Sequence, residues 1–260
     1  MLIFWRFLFL MIMFNLVSYT QKSKPIALKI MSYNIQHGIN TQGKTNLLRV
    51  VDIIKKHKPD LVALQEIDSG MVQSGRLNQI RILSLLTGYN GVLAKTIGSG
   101  DGKVGLGILS KWPIEGVQQI KLPHIQTQTD SCTLFCALIA LNDTQYCRFC
   151  NTQLDDFSPL NRGLQAAVAN EALQYSIQPV ILAGNMNVQP LDHTLEGLFK
   201  YWNDAGENTD AGTYSITGKR IDYIWTLKES TFKLVDYRVL YEPNTSDHSP
   251  VIATFELRQK

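Results

Sequence analysis

From residue 27 onward the chain alternates between two hydrophobic periods. Segment 27–35 (ALKIMSYNI) alternates apolar and polar positions and predicts a strand. Segment 45–57 (TNLLRVVDIIKKH) has Leu47, Leu48, Val51 and Ile54 at helical spacing and predicts an amphipathic helix. A buried strand follows at 60–67 (DLVALQEI), after Pro59, and then a second helix at 78–88 that Gly88 closes. Segments 104–114, 132–141 and 145–154 read as strands, with the turn LNDTQ (141–145) between the last two. A third helix at 162–176 leads into the apolar strand PVILAG, and 220–227, 232–241 and 249–257 are again strand-like. Strands outnumber helices, and hairpin-like pairs stand beside strand–helix–strand segments. An α/β fold buries all of these faces: a four-layer α/β sandwich of two packed, mainly antiparallel sheets flanked by helices.

Residues 1–20 (MLIFWRFLFLMIMFNLVSYT) stand outside this rhythm: Leu, Ile, Phe and Met dominate, and Arg6 is the only charge. Arg6 and Asn15 interrupt the run, which is too short for a comfortable membrane span. Ser18 and Thr20 are small enough for a signal-peptidase site before Gln21. The expectation is a signal peptide over 1–20, a secreted or periplasmic protein, and one domain over 27–258. Membrane association is expected only through an uncleaved leader, and no Cys near position 20 supports a lipid anchor.

The remaining composition, 45% hydrophobic and 18% charged, is that of a globular chain, and no Pro-, Gly- or Ser-rich linker divides it. The net charge is +3, or +2 without Arg6, and the basic residues are scattered. A nucleic-acid partner, which needs clustered Lys and Arg, is therefore not favoured, and a monomer is expected. Four cysteines lie close together at 132, 136, 147 and 150. Pairing two strands about the turn at 141–145 sets Cys136 opposite Cys150 on one face. A cross-strand disulfide or simple core packing suits that placement better than zinc, whose ligands converge from knuckle turns.

Chemistry gathers where apolar runs end. Asn34 follows KIMSY, Glu66 follows LVALQ, Gln153 and Asp155 follow FCNT, and Asn185 and Asn187 follow VILAG. Asp222 lies in RIDYI, and Asp247-His248 precede SPVIA. Any one of these would ordinarily be a cap or turn former; several at the same end of successive strands mark a site.

The ordered set MSYNIQHG, LVALQEID, GLGILSKWPI, NTQLD, AGNMN, RIDYIW and SDHSPV resembles the endonuclease/exonuclease/phosphatase superfamily, collinearly from about residue 27 to 257. That superfamily includes deoxyribonucleases, apurinic endonucleases, bacterial sphingomyelinases and inositol-phosphate phosphatases. The resemblance implies a metal-dependent phosphoester hydrolase that attacks phosphorus in line with water. It assigns Mg2+ (or Mn2+) to Glu66, with Asn34 beside it and Asp247 as a second metal-side or His-orienting carboxylate. His248 becomes the general base or phosphate-binding imidazolium, Asp222 the carboxylate that orients it, and Asn187 a donor to the phosphate or the attacking water. The implied partner is a phosphorylated small molecule or a lipid head group.

Departures from the pattern fall on proton-transfer positions. Asn185 stands where GDxN would supply a water-aligning aspartate, and an amide cannot take a proton near neutral pH. Gln153 stands where THLD would supply a histidine. Segment 126–134 carries Asp130 and Ser131 where secreted relatives often have an arginine. Arg162, Gln165, Thr213, Tyr214, Lys111 and Trp112 keep the familiar pattern. Segments 89–103 and 186–215 are expected to be loops bordering the mouth.

Overall fold

The computed structural model describes residues 25–99, 102–125 and 132–258; the predicted leader at 1–20, and positions 126–131 of the segment searched for an arginine, lie outside them. The chain runs β1 (Ile26–Asn34), α1 (Leu47–His57), β2 (Leu61–Ser69), α2 (Gln79–Thr87), β3 (Asn90–Ser99), β4 (Gly102–Ser110) and β5 (Ile114–Lys121). It continues through β6 (Thr133–Ala140), β7 (Tyr146–Gln153), α3 (Pro159–Leu173), β8 (Val180–Asn185), α4 (Glu196–Phe199) and β9 (Trp202–Asp204). The last elements are β10 (Asp222–Leu227), β11 (Phe232–Val239) and β12 (Val251–Leu257).

Two six-stranded sheets form, in the orders β11-β12-β1-β2-β4-β3 and β5-β6-β7-β8-β10-β9. Each is mixed: β1 and β2 are parallel in one, β7 and β8 in the other, and the remaining pairs are antiparallel. Parallel neighbours need a crossover, which α1 and α3 supply. The four-layer sandwich thus follows from alternation. In β1, Leu28 and Ile30 face the opposite sheet while Met31 and Tyr33 face the helices. The inter-sheet core takes Phe135, Phe149, Ile181, Ile224 and Phe255; a second cluster packs α3 on β8 and β10; a third packs α1 and α2 on β1 and β2.

Local signals set the helix limits. Ser158 caps α3 by accepting the Asn161 N–H, with Pro159 in the first turn, so the helix starts three residues before the sequence expectation and ends at Leu173. Gly88 ends α2 at φ 78°. Two expectations need correction. Most of 89–103 is not a loop but β3, hydrogen-bonded along β4. Segment 186–215 contains α4 and β9. The cysteine question also resolves: Cys136 and Cys150 are register partners joined by a disulfide, and Cys147 is a buried free thiol.

Candidate active site

Strand direction gathers the site. β1, β2, β7 and β8 end at one edge of the sandwich, and the antiparallel strands β10 and β12 begin there. Register pairs Gln153 and Asp222 with Asn185 from either side, and Asn34 with Gln65. Every site residue expected from the sequence lies at this edge; Asp155 turns instead into the loop that starts α3. Its carboxylate accepts the N–H groups of Phe157 and Ser158 and the Asn161 amide at 2.7–2.9 Å. Arg162 and Gln165 hold the Asp155 backbone.

Glu66 sits in an irregularity of β2, where the register with β4 shifts between Leu64 and Ile67, and its φ is 54°. Such a bulge leaves backbone groups unpaired and re-aims a side chain. Beneath it lies a polar bridge between the sheets. Asn151 donates to the Leu64 and Gly107 carbonyls (2.8 and 2.9 Å) and accepts from Gln65 (2.7 Å), and both side chains are fully buried. Glu66 Oε1 accepts from Asn34 Nδ2 (2.8 Å) and from Gln153 Nε2 (2.9 Å). Asn34 Oδ1 accepts the Gln36 N–H at 3.0 Å and keeps its second lone pair, while its amide nitrogen holds Glu66.

His248 Nδ1 is 2.8 Å from Asp222 Oδ2, with the imidazole nearly buried and Tyr214 tilted against it at 4.9 Å between ring centroids. Burial disfavours the imidazolium, but the Asp222 charge and hydrogen bond prevail and raise the pKa of His248. The other Asp222 oxygen is buried without a protein partner. Asp247 Oδ1 lies 4.0 Å from His248 Nε2. Burial, together with the negative charge of Glu66, raises the Asp247 pKa against the opposing pull of His248. Asp222, rather than Asp247, therefore orients the histidine. Ser246 fixes the loop by donating to the Asn34 carbonyl at 2.8 Å.

Within AGNMN, Asn185 holds the backbone of Asn187, whose own side chain holds the loop after β7. Asn185 Oδ1 accepts the backbone N–H of Asn187 (2.8 Å), and Asn187 Nδ2 donates to the Leu154 carbonyl (2.7 Å). Before them, Gly184 has φ 154°, and a Cβ there would lie 1.9 Å from the Thr152 carbonyl oxygen; only glycine lets β8 approach β7 so closely.

One further pair, which the sequence pattern does not predict, lies within MSYNIQHG and LVALQEID. His37 Nδ1 is 2.8 Å from Asp68 Oδ1, and His37 Nε2 is 3.7 Å from Glu66 Oε2. Burial opposes protonation of His37, but the Asp68 hydrogen bond and the Glu66 charge raise its pKa. Spacing alone carried no sign of this pairing; the signal available was a histidine three residues past Asn34 and a carboxylate two past Glu66.

The donors fit a hard divalent ion that keeps most of its waters. Glu66 and Asp247 are neighbouring carboxylates whose like charges a cation would offset. Among the described residues no cluster of three or more His, Cys, Asp or Glu is arranged to enclose an ion, so a caged structural metal does not fit.

Comparison with known proteins agrees with this architecture. The chain superposes on an endonuclease/exonuclease/phosphatase family protein from Bacteroides thetaiotaomicron with a TM-score of 0.78 and 18% identity, covering 91% of this chain and 100% of that one. It superposes on a mannosyl-6-phosphatase from the same organism with a TM-score of 0.73 and 17% identity, covering 88% and 99%. The human Nocturnin catalytic domain with bound sulfate gives 0.72 and 18% identity, covering 89% and 93%. No curated protein sequence matches. The model of the Endonuclease/Exonuclease/phosphatase family matches residues 31–248, from the strand that ends in Asn34 to the histidine paired with Asp222. The chain belongs to that family.

Proposed function

We propose that the protein is an exported, divalent-metal-dependent phosphoester hydrolase whose turnover is slow or altered because Asn185 and Gln153 replace proton-transfer groups. The observation that carries this reading is the coexistence, at one strand edge, of the His248–Asp222 pair at 2.8 Å with an amide at 185 whose oxygen already accepts a backbone N–H. The family is generally divalent-metal dependent. An ion bound at Glu66, Mg2+ or Mn2+, would neutralise charge developing on the phosphoryl oxygens. Asn34 and Gln153 hold the Glu66 carboxylate through their amides. His248, fixed at Nδ1 by Asp222, offers Nε2 to a phosphoryl oxygen or to the attacking water. Asn187 keeps one amide hydrogen for the same region, since one of its two donors serves Leu154. Neither Asn185 nor Gln153 can deliver or remove a proton, and loss of a positioned base costs about 10²–10⁴ in rate.

A second reading is favoured by one observation: each replaced side chain already makes a hydrogen bond within the protein, Asn185 Oδ1 with the Asn187 N–H and Gln153 Nε2 with Glu66. A binding protein for a phosphorylated ligand, a small molecule or a lipid head group, would look the same. Hydrolysis of aryl phosphomonoesters and phosphodiesters with Mg2+ or Mn2+ separates the two. Slow turnover that ends on chelation and in Glu66→Gln supports the hydrolase. Saturable binding of ion and inorganic phosphate with no turnover supports the binding protein. A mature chain beginning at Gln21 in the exported fraction is the expected sign of the leader; a cytoplasmic chain retaining Met1 would refute export.

A further inference from the structure

We propose that His37 is a nitrogen ligand of the divalent ion held at Glu66, so that this site prefers Mn2+, or another ion that accepts imidazole, over Mg2+. The inference rests on the metal-dependent reading above. Its basis is a second His–carboxylate pair, built separately from His248–Asp222 and aimed at the metal-side carboxylate.

The pair is held from several directions. His37 Nδ1 meets the fully buried Asp68 carboxylate at 2.8 Å, which holds the Nδ1 proton and turns Nε2 toward Glu66, free to coordinate an ion when that nitrogen is unprotonated. Gln79, also fully buried, clamps both partners: its Oε1 accepts the Asp68 N–H at 2.8 Å and its Nε2 donates to the His37 carbonyl at 2.6 Å. Gly38 makes room for that clamp, because a Cβ there would lie 2.8 Å from Gln79 Nε2. Gln36, His37 and Gly38 all have positive φ (47°, 59° and 65°), a costly run that points the imidazole back toward β2.

The target is equally specific. Glu66 Oε1 is taken by two amide donors, and it is Oε2 that faces His37 Nε2 at 3.7 Å. Both side chains keep about a quarter of their surface open, 28% and 27%. Either a proton on Nε2 or one cation shared by the two groups holds them in this approach, and the free oxygen and free nitrogen leave a place for that cation. They are close enough to share one ion, whose bonds to imidazole nitrogen and carboxylate oxygen are each about 2.0–2.2 Å. A carboxylate holding the far nitrogen of a ligating histidine is the usual support for such a ligand; Mg2+ keeps to oxygen and gives up its waters reluctantly, whereas first-row transition ions take imidazole more readily, Mn2+ the least of them.

The test is electron spin-echo spectroscopy of the Mn2+ complex of the mature protein, with Mn2+ and Mg2+ affinities measured by calorimetry. A directly coordinated ¹⁴N signal is expected in the wild type and in His248→Asn, and is expected to vanish in His37→Gln. Asp68→Asn is expected to weaken Mn2+ binding about 10–100-fold, with Mg2+ binding changed much less. If His37→Gln does not fold, retention of the signal in His248→Asn still assigns the nitrogen at this site to His37. Mn2+ binding that Glu66→Gln abolishes but that shows no coordinated ¹⁴N overturns the proposal and leaves the hydrolase reading standing; His37 is then an ion-pair partner only. Absence of any Glu66-dependent ion binding overturns both.

Discussion

Replacing Asn151 with alanine tests how the site is aimed. The Asn151 side chain makes three hydrogen bonds in the buried interior: two to the carbonyls of Leu64 and Gly107, next to the irregularity that carries Glu66, and one from Gln65 in the opposite sheet. Asn151→Ala strands two acceptors and one donor. A buried unsatisfied polar group costs about 1–3 kcal/mol. With some relaxation and water entry, the three together amount to about 3–5 kcal/mol, a large share of the roughly 5–15 kcal/mol of a typical domain. At about 2–4 °C per kcal/mol for a domain of this size, Tm should fall by roughly 6–20 °C. The assay is reversible urea and thermal unfolding of Asn151→Ala beside Gln118→Ala, an exposed control on β5. Metal affinity should fall with the stability, because the same bonds set the backbone that directs Glu66. A stability loss below about 1 kcal/mol, or unchanged metal affinity in a strongly destabilised variant, would refute this account of the bridge.

Three further outcomes are expected. Glu242 is paired with Arg49 and Lys56 at 2.7 Å each; burial alone would raise its pKa, but these cations lower it below 4.5. Its stabilisation is therefore complete above the unfolded value and is lost as pH falls through the lower folded value, so Glu242→Gln should flatten the acid limb of a stability–pH curve. Reduction of Cys136–Cys150, a crosslink spanning a 14-residue separation, should lower stability by about 3 kcal/mol with the strand pairing intact; an unaltered melting curve under reductant would count against the disulfide. Asp222→Asn, made in an Asn185→Asp/Gln153→His background, should cut kcat by about 10²–10⁴ while circular dichroism stays native; an unchanged kcat would remove Asp222 from the orienting role.

The interior strands were legible because burial on both faces writes them as apolar runs. VILAG and LVAL end in polar residues, and those endings located the edge where the site lies. The strands that the hydrophobic pattern does not predict are β3, β5 and β9, all at sheet edges. β3 contains Gly91 and Gly98, and β5 (IEGVQQIK) is exposed along most of its length, so neither carries the alternation that burial imposes. Roles within the site came from resemblance, not from periodicity: nothing in the spacing of RIDYI and SDH says that Asp222 meets His248. The His37–Asp68 pair and the Gln65–Asn151 bridge were invisible for the same reason. Each joins residues more than thirty positions apart through side-chain geometry that only the assembled sheets create.

The central claim is that Glu66, Asp222 and His248 preserve a phosphoester hydrolase site that Asn185 and Gln153 have slowed. It is tested most directly by measuring kcat for an aryl phosphodiester with saturating Mg2+ or Mn2+ in the wild type and in Asn185→Asp/Gln153→His. Asn185→Asp sets a second carboxylate beside Asp222 on the neighbouring strand, so folding of the variant is checked by its melting curve. A near-silent parent and a gain of about 10²–10⁴ in the folded double variant are predicted. A parent already as fast as an ordinary hydrolase, or a folded, metal-loaded double variant with no gain, would contradict the account.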